Sequence, residues 1–400
     1  MKILQVNNFY NRGSTGKIVY DLNRYIIKKG HQSIVCYGRG PKTNDENVYK
    51  ISTELEAKIH GLQTRIQGLE FSHSFFATNK LISIIKSEKP DVVHLHCLNC
   101  NFMNTYRTLD FLKKNKINTV LTLHAELMHT GGCGHAYDCQ EWKTGCKNCV
   151  NFRVATGSKI FNRTAEAFDK MKKAFDGFDT VTIVAVSPWL SERAKQSPIM
   201  QNNKHLIIDN GINTDVFRPR NFENLKEKYN IPDTKIILHT TPDFLSDIKG
   251  GKFVLKLAER MKETVFVIVG FNGNNKDLPK NVIPIKHTQD KDEMAQFYSM
   301  ADLTLLTSKR ETFSMVCAES LCCGTPVVGF KAGGPETISI PEYSEFVEYG
   351  NIVELEKAVM MWLDKKSGVT KELVRKAGEK YSSEKMAENY IKLYRELSES

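Results

Sequence analysis

A chain of 400 residues with 41% apolar and 26% charged content can bury more than one core, and chains beyond roughly 250–300 residues usually divide, so two domains are expected and disorder or a fibre is excluded. The net charge of +10 is uneven: residues 1–200 hold 28 Lys and Arg against 17 Asp and Glu (+11), residues 201–400 hold 28 against 29 (−1). The basic first half suits an anionic partner such as a lipid headgroup, a diphosphate or nucleic acid, and equally a plain soluble surface.

The opening run Met1-Lys2-Ile3-Leu4-Gln5-Val6 meets polar Asn7-Asn8 at once, too short for a signal peptide, and no stretch reaches bilayer-spanning length. A cytoplasmic protein is expected, its 10 cysteines thiols or metal ligands rather than disulfides. Short apolar, β-branched runs alternate with longer periodic segments, the pattern of βαβ units on parallel sheets. Strands are predicted over 2–6, 33–37, 91–95, 118–123 and 180–186 in the first half. In the second half they fall at 205–208, 236–240, 265–269, 282–285, 303–306 and 326–329. Each half reads as its own doubly wound sheet, with ligands expected beyond the carboxyl ends of the strands.

In chain order, Gly13-Ser14-Thr15-Gly16-Lys17 joins the first strand to a helix with Ile18, Leu22 and Ile26 on one face. Gly13 and Gly16 let the backbone approach a ligand, and the new helix offers free amides to a phosphate. Residues 55–89 mix Lys58, Arg65, Lys80, Lys86 and Lys89 with Leu62, Ile66, Leu69, Phe71, Phe75 and Phe76. That mixture fits a membrane-facing surface or a helix packed on a sheet with a solvated basic side. His94 and His96 alternate onto one face of a strand, and His124 ends the next one.

Cys133, Cys139, Cys146 and Cys149 follow within 17 residues, the last pair with the spacing of a metal knuckle. A structural zinc ordering this loop is the preferred reading, with His135 as a replacement ligand; four thiols without metal is the other. Turn formers at 209–215 mark the crossing between halves. The densest motif is Lys309-Arg310-Glu311-Thr312-Phe313-Ser314-Met315-Val316-Cys317-Ala318-Glu319, ahead of Gly324-Thr325-Pro326. It follows a strand and opens a helix predicted over 314–323, so one carboxylate sits in the loop and one inside the helix. Both can accept sugar hydroxyls while loop amides and the helix N-terminus face a diphosphate. Met386, Tyr390, Leu393 and Leu397 mark one face of a closing helix from residue 383 to 397.

This motif resembles the Glu-seven-Glu motif of family 4 retaining glycosyltransferases. The Gly13–Gly16 segment, Pro90-Asp91-Val92-Val93-His94-Leu95-His96, His124, Ser187 and Asn210-Gly211-Ile212-Asn213 fall in that family's order. The likeness is greatest to bacterial enzymes of capsule, O-antigen or exopolysaccharide assembly. It implies an α/β GT-B fold: two Rossmann-like, doubly wound parallel-sheet domains facing across a cleft. Residues 1–209 would bind the acceptor and 210–382 the nucleotide-sugar donor, with the helix 383–400 packing back on the first.

By the resemblance, Glu319 holds the donor ribose and Glu311 the transferred sugar. Thr312 lies between them, and the amides of Phe313, Ser314 and Met315 hold sugar and phosphate. Lys249 neutralises the leaving group. His124 sits near the reacting carbon and His96 by the acceptor. No catalytic metal is implied. An Arg usual before the Lys-Gly pair is missing, since Ile248 precedes Lys249-Gly250; Lys252, Lys309 or Arg310 are candidate substitutes, although a Lys lacks the Arg fork.

The function so implied is retaining transfer of a hexose-type sugar from a nucleotide-diphospho-sugar to a glycan or lipid-linked acceptor in surface polysaccharide synthesis. The enzyme would be cytoplasmic, with peripheral contact at the inner face of the plasma membrane through the basic first half, and with no nucleic-acid partner. The competing readings are a GT-B epimerase or phosphorylase and a zinc-stabilised, non-catalytic binding protein.

Overall fold

In this computed structural model, which describes residues 1–147, 149–275, 278–365 and 371–399, β-branched runs buried on both faces become the strands of two parallel sheets. The first sheet holds β1 (Lys2–Phe9), β2 (Gln32–Arg39), β3 (Val48–Lys50), β4 (Val92–Leu95), β5 (Thr119–Leu123), β6 (Val181–Ala185) and β7 (Lys204–Ile207). Their order is β3-β2-β1-β4-β5-β6-β7, every pairing parallel. The second holds β8 (Ile236–Thr240), β9 (Val265–Val269), β10 (Val282–Ile285), β11 (Leu303–Leu306), β12 (Val327–Phe330) and β13 (Ser344–Val347). Its order is β10-β9-β8-β11-β12-β13, again all parallel.

Each sheet starts in its middle. β1 lies between β2 and β4, and β8 between β9 and β11, so each unit has a switch point where loops diverge from the carboxyl edge and leave room for a ligand. One unit comprises Met1–Asp209 with Met386–Ser400, the other Asn210–Lys385.

The closing helix Ser383–Ser398 delivers Met386, Ala387, Tyr390, Ile391, Leu393 and Tyr394 into the core of the first unit. There they meet Ile3, Ile18, Leu22, Val92, Val120 and Val184. Each large apolar side chain so buried contributes about 1.5–3 kcal/mol, more than the intrinsic propensity of so short a helix could supply. In the second unit Ile237, Val254, Leu257, Phe266, Leu303, Val328 and Val359 form the equivalent core.

Four local features differ from the sequence-based expectations. The strand predicted at 205–208 for the second half is β7, on the edge of the first sheet, because it pairs with β6. β3 and β13 had no signal, the first only three residues long and the second largely half-buried. The Gly13–Gly16 segment is no loop but the first turn of the helix Gly13–Lys28. Residues 55–89 form two helices, Glu54–Gln67 and Phe75–Glu88.

Candidate functional site

In the second unit the loops after β8 and β11 diverge at the switch point and are then drawn together. Lys309 N–H donates to the Ile248 carbonyl at 2.8 Å, and Thr307 Oγ1 donates to the Lys249 carbonyl at 3.0 Å. Side chains follow: Lys249 Nζ stands 2.7 Å from Glu311 Oε1, both about a quarter exposed. The approach depends on Gly250, whose φ is +71° and whose added Cβ would lie 2.1 Å from the Thr307 carbonyl oxygen.

Glu311 is fixed by its own backbone. Its N–H donates to the Ala332 carbonyl at 3.0 Å, and its carbonyl accepts from Gly334 N–H at 2.8 Å. Gly334 packs so close that a Cβ would come within 2.5 Å of the Thr312 carbonyl carbon. Three residues on, Ser314 takes φ +79°, unusual for a side-chain-bearing residue. From there its hydroxyl caps the helix Met315–Cys322 by accepting from Cys317 N–H at 3.3 Å. The turn carries the chain from the Glu311 loop into a helix whose first turn has no acidic side chain, leaving its dipole uncompensated. Within that helix Glu319 accepts from the buried Tyr298 hydroxyl at 3.0 Å. The result is a cation, two carboxylates and a helix N-terminus along one sheet edge, a constellation suited to a phosphorylated polyol.

In the first unit three imidazoles line up at the carboxyl edges of β4 and β5. His94 and His96 lie against each other with ring centroids 3.7 Å apart and planes tilted by 34°, and His96 Nδ1 lies 3.4 Å from His124 Nε2. Burial pushes His124 down to about 4 and holds His94 and His96 well below the usual imidazole range, so all three are neutral at pH 7. His94 is held from both sides, with Nδ1 2.6 Å from the Tyr394 hydroxyl and Nε2 2.7 Å from Thr122 Oγ1. His96 Nε2 is buried without a hydrogen-bond partner. The same edge carries the N-terminus of Gly13–Lys28, where Arg12 at the cap position supplies no side-chain hydrogen bond.

Residues 15–216 match the family model described as Glycosyltransferase Family 4, and residues 221–382 the one described as Glycosyl transferases group 1. The chain belongs to glycosyltransferase family 4. It is 22% identical to the Escherichia coli protein named putative colanic acid biosynthesis glycosyl transferase WcaC, over 99% of this chain and 100% of that one. Among solved structures it is similar to Thermosynechococcus elongatus sucrose-phosphate synthase, at 14% identity and TM-score 0.69 over 99% of this chain and 98% of that one. It is also similar to Anabaena HepE in complex with UDP, at 14% identity and TM-score 0.68 over 99% and 100%. The fold is GT-B.

In this glycosyltransferase the sheet edges bring Lys249 to Glu311 and His96 to His124, each pair from residues far apart in sequence. Of the candidates for the missing Arg, Lys252 is paired with Asp247 at 2.9 Å. Lys309 and Arg310 lie on the segment that leads into Glu311. Tyr298, Thr122 and Tyr394 carry no signal in the sequence, because each acts on a partner at least 21 residues away and has no motif of its own; Tyr390, expected only as part of the apolar face of the closing helix, also places its hydroxyl 2.8 Å from Thr122 Oγ1.

The cysteine loop of the glycosyltransferase folds around buried Trp142, whose indole N–H donates to the Cys139 carbonyl at 2.9 Å. It is pinned by Glu126, which accepts from Ala136 N–H at 2.9 Å and lies 2.6 Å from the Arg193 guanidinium. Burial pushes the Glu126 carboxyl up, but the neighbouring His129, its Nε2 3.6 Å away, and the Arg193 charge outweigh it and hold the group at about 2. Cys133 Sγ is 3.1 Å from the His135 carbonyl and Cys146 Sγ 3.7 Å from that of Thr130. Among the described residues no three His, Cys, Asp or Glu side chains are grouped to hold a metal ion.

Proposed function

We propose that this glycosyltransferase moves a hexose-type sugar, with retention, from a nucleoside-diphosphate sugar to a glycan or lipid-linked acceptor in surface polysaccharide assembly. The observation that carries the reading is the Lys249–Glu311 pair at 2.7 Å, set at a switch point beside a helix N-terminus. Glu311 accepts hydroxyls of the transferred sugar, Glu319 those of the ribose, and the amides of Phe313, Ser314 and Met315 meet sugar and phosphate.

Lys249 is shared between Glu311 and the diphosphate, whose charge grows as the glycosidic bond breaks. Lys309 or Arg310 supplies the second cation, so the reaction proceeds without a bound metal. A zinc ion on Cys133, Cys139, Cys146 and Cys149 belongs to this reading only as a brace of the loop, and equimolar zinc in the purified protein would establish it.

The neutral imidazoles of His124 and His96 orient the acceptor hydroxyl, and Gly13 and Gly16 open a helix whose amides meet anionic charge. A lipid-linked acceptor brings the enzyme to a membrane surface as a peripheral protein. No helix among the described residues is long and apolar enough to cross one.

The test is calorimetric binding against a panel of nucleoside-diphosphate sugars, UDP-sugars first because HepE was solved with UDP. Saturable binding of one donor, lost in Glu311→Gln at unchanged thermal stability, is expected. Normal transfer by the folded variant would reject the donor site.

A further inference from the structure

The helix Glu54–Gln67 is turned inside out. Leu55, Ile59, Leu62 and Ile66, spaced as one helical stripe, are 39–69% exposed, whereas Ala57, His60 and Thr64 face inward. The buried side is held by polar contacts, since His60 lies 2.7 Å from Ser74 Oγ and 2.5 Å from the Glu70 carbonyl. A soluble helix ordinarily buries its apolar stripe.

The stripe continues at both ends. At its start, Ala77 N–H donates to Glu56 Oε1 at 3.1 Å, which sets the exposed Phe75 and Phe76 beside the first turn. At its end, Lys159 N–H donates to the Arg65 carbonyl at 2.7 Å and Ser158 Oγ to that of Ile66 at 3.4 Å. These bonds tie on a segment in which Val154 and Ile160 are 85% and 60% exposed. One exposed apolar ridge runs through all three segments, a feature that marks an interaction surface.

Charge identifies the partner. Residues 147–163 contain Lys147, Arg153, Lys159 and Arg163 and no acidic residue. Lys58 and Arg65 are exposed beside the stripe, and Arg107 sits 4.8 Å over the Phe75 ring. The acids of the helix are engaged elsewhere: Glu54 pairs with Arg39 and Lys50, and Glu56 holds Ala77 N–H. Apolar side chains fringed by cations match the boundary between acyl chains and phosphate headgroups. Beside the ridge lies a cavity of about 340 Å³ that shares Arg65 and Val154 with it and is lined by polar Thr64, Glu70, Asn101 and Thr156.

We propose that this ridge docks the enzyme on an anionic lipid bilayer, with the cavity beside it open to the polar headgroup of a lipid-linked acceptor. The proposal rests on the lipid-linked acceptor reading above and deepens it by naming the face that meets the membrane.

The test is co-sedimentation of the full chain with phosphatidylcholine vesicles, with and without phosphatidylglycerol. UDP-sugar binding is measured on the same preparations. Wild type should bind the anionic vesicles, more weakly as salt rises. Leu62→Glu with Ile66→Glu, and separately Arg153→Glu with Lys159→Glu, should each weaken binding by about tenfold or more while donor binding stays intact.

Failure of wild type to sediment, or sedimentation unchanged in both variants, overturns the docking face. So does a self-associated wild type that the leucine–isoleucine variant makes monomeric and that ignores vesicles. Intact donor binding in any of these cases leaves the transferase reading standing, whereas absence of donor binding in wild type strikes that reading instead.

Discussion

Lys249 and Glu311 meet at 2.7 Å although 62 residues separate them, because β8 and β11 are neighbours at a switch point and their loops bond to one another. The pair is partly exposed, so its contribution to folding is about 1 kcal/mol or less. In the proposed donor site its worth would lie in the charge that develops during transfer.

Lys249→Met should therefore lower kcat/KM by about 100-fold or more, with little change in thermal midpoint. Lys249→Arg should recover part of the loss by keeping the charge. Steady-state kinetics beside thermal melts checks this, and a Met variant as active as wild type would remove Lys249 from the site.

Gly250→Ala forces a Cβ to within 2.1 Å of the Thr307 carbonyl oxygen at a residue with φ +71°. Overlap with backbone cannot relax by a rotamer change, so a loss of about 2 kcal/mol or more is expected in denaturant unfolding. Donor affinity should fall with it, since Lys249 moves with the loop.

Acid should weaken the fold through its buried imidazoles. Burial pushes His60, His124 and His239 down to about 4, whereas an unfolded His titrates near 6.5. Between those values the unfolded chain binds more protons, so stability falls as pH drops from about 6.5 to 4. The thermal midpoint should decline by roughly 5 °C or more over that window, and His124→Asn should reduce the slope. A flat profile would refute neutral burial.

Tyr394→Phe removes the hydroxyl 2.6 Å from His94 Nδ1 and leaves a buried nitrogen without a partner. A cost of about 1–3 kcal/mol is expected. Because the His94 ring lies against that of His96, the acceptor KM should rise while donor binding, proposed for the other unit, should not weaken. Calorimetric melting and separate titration of donor and acceptor distinguish this from a general loss of stability.

Much of this was legible in the chain. The alternation of apolar runs determined two parallel α/β sheets, because a strand buried on both faces needs an uninterrupted apolar sequence and its crossover needs a helix. The loop-then-helix placement of Glu311 and Glu319 followed from local spacing, as did the closing amphipathic helix. Edge strands were legible only in part: β10 stands over the span predicted for it, but β7, expected as a strand, carries no label of the sheet it joins, and β3 is too short to show a period.

What only the tertiary structure decided are the meetings of residues remote in sequence. Strand order brings Lys249 to Glu311, and the return of the last helix places Tyr394, 300 residues on, against His94. It also decided that the stripe of Glu54–Gln67 faces outward. Periodicity shows that a helix has an apolar side, but which side is buried depends on the partners it finds, and here His60 bonded to Ser74 and Glu70 draws the polar side in.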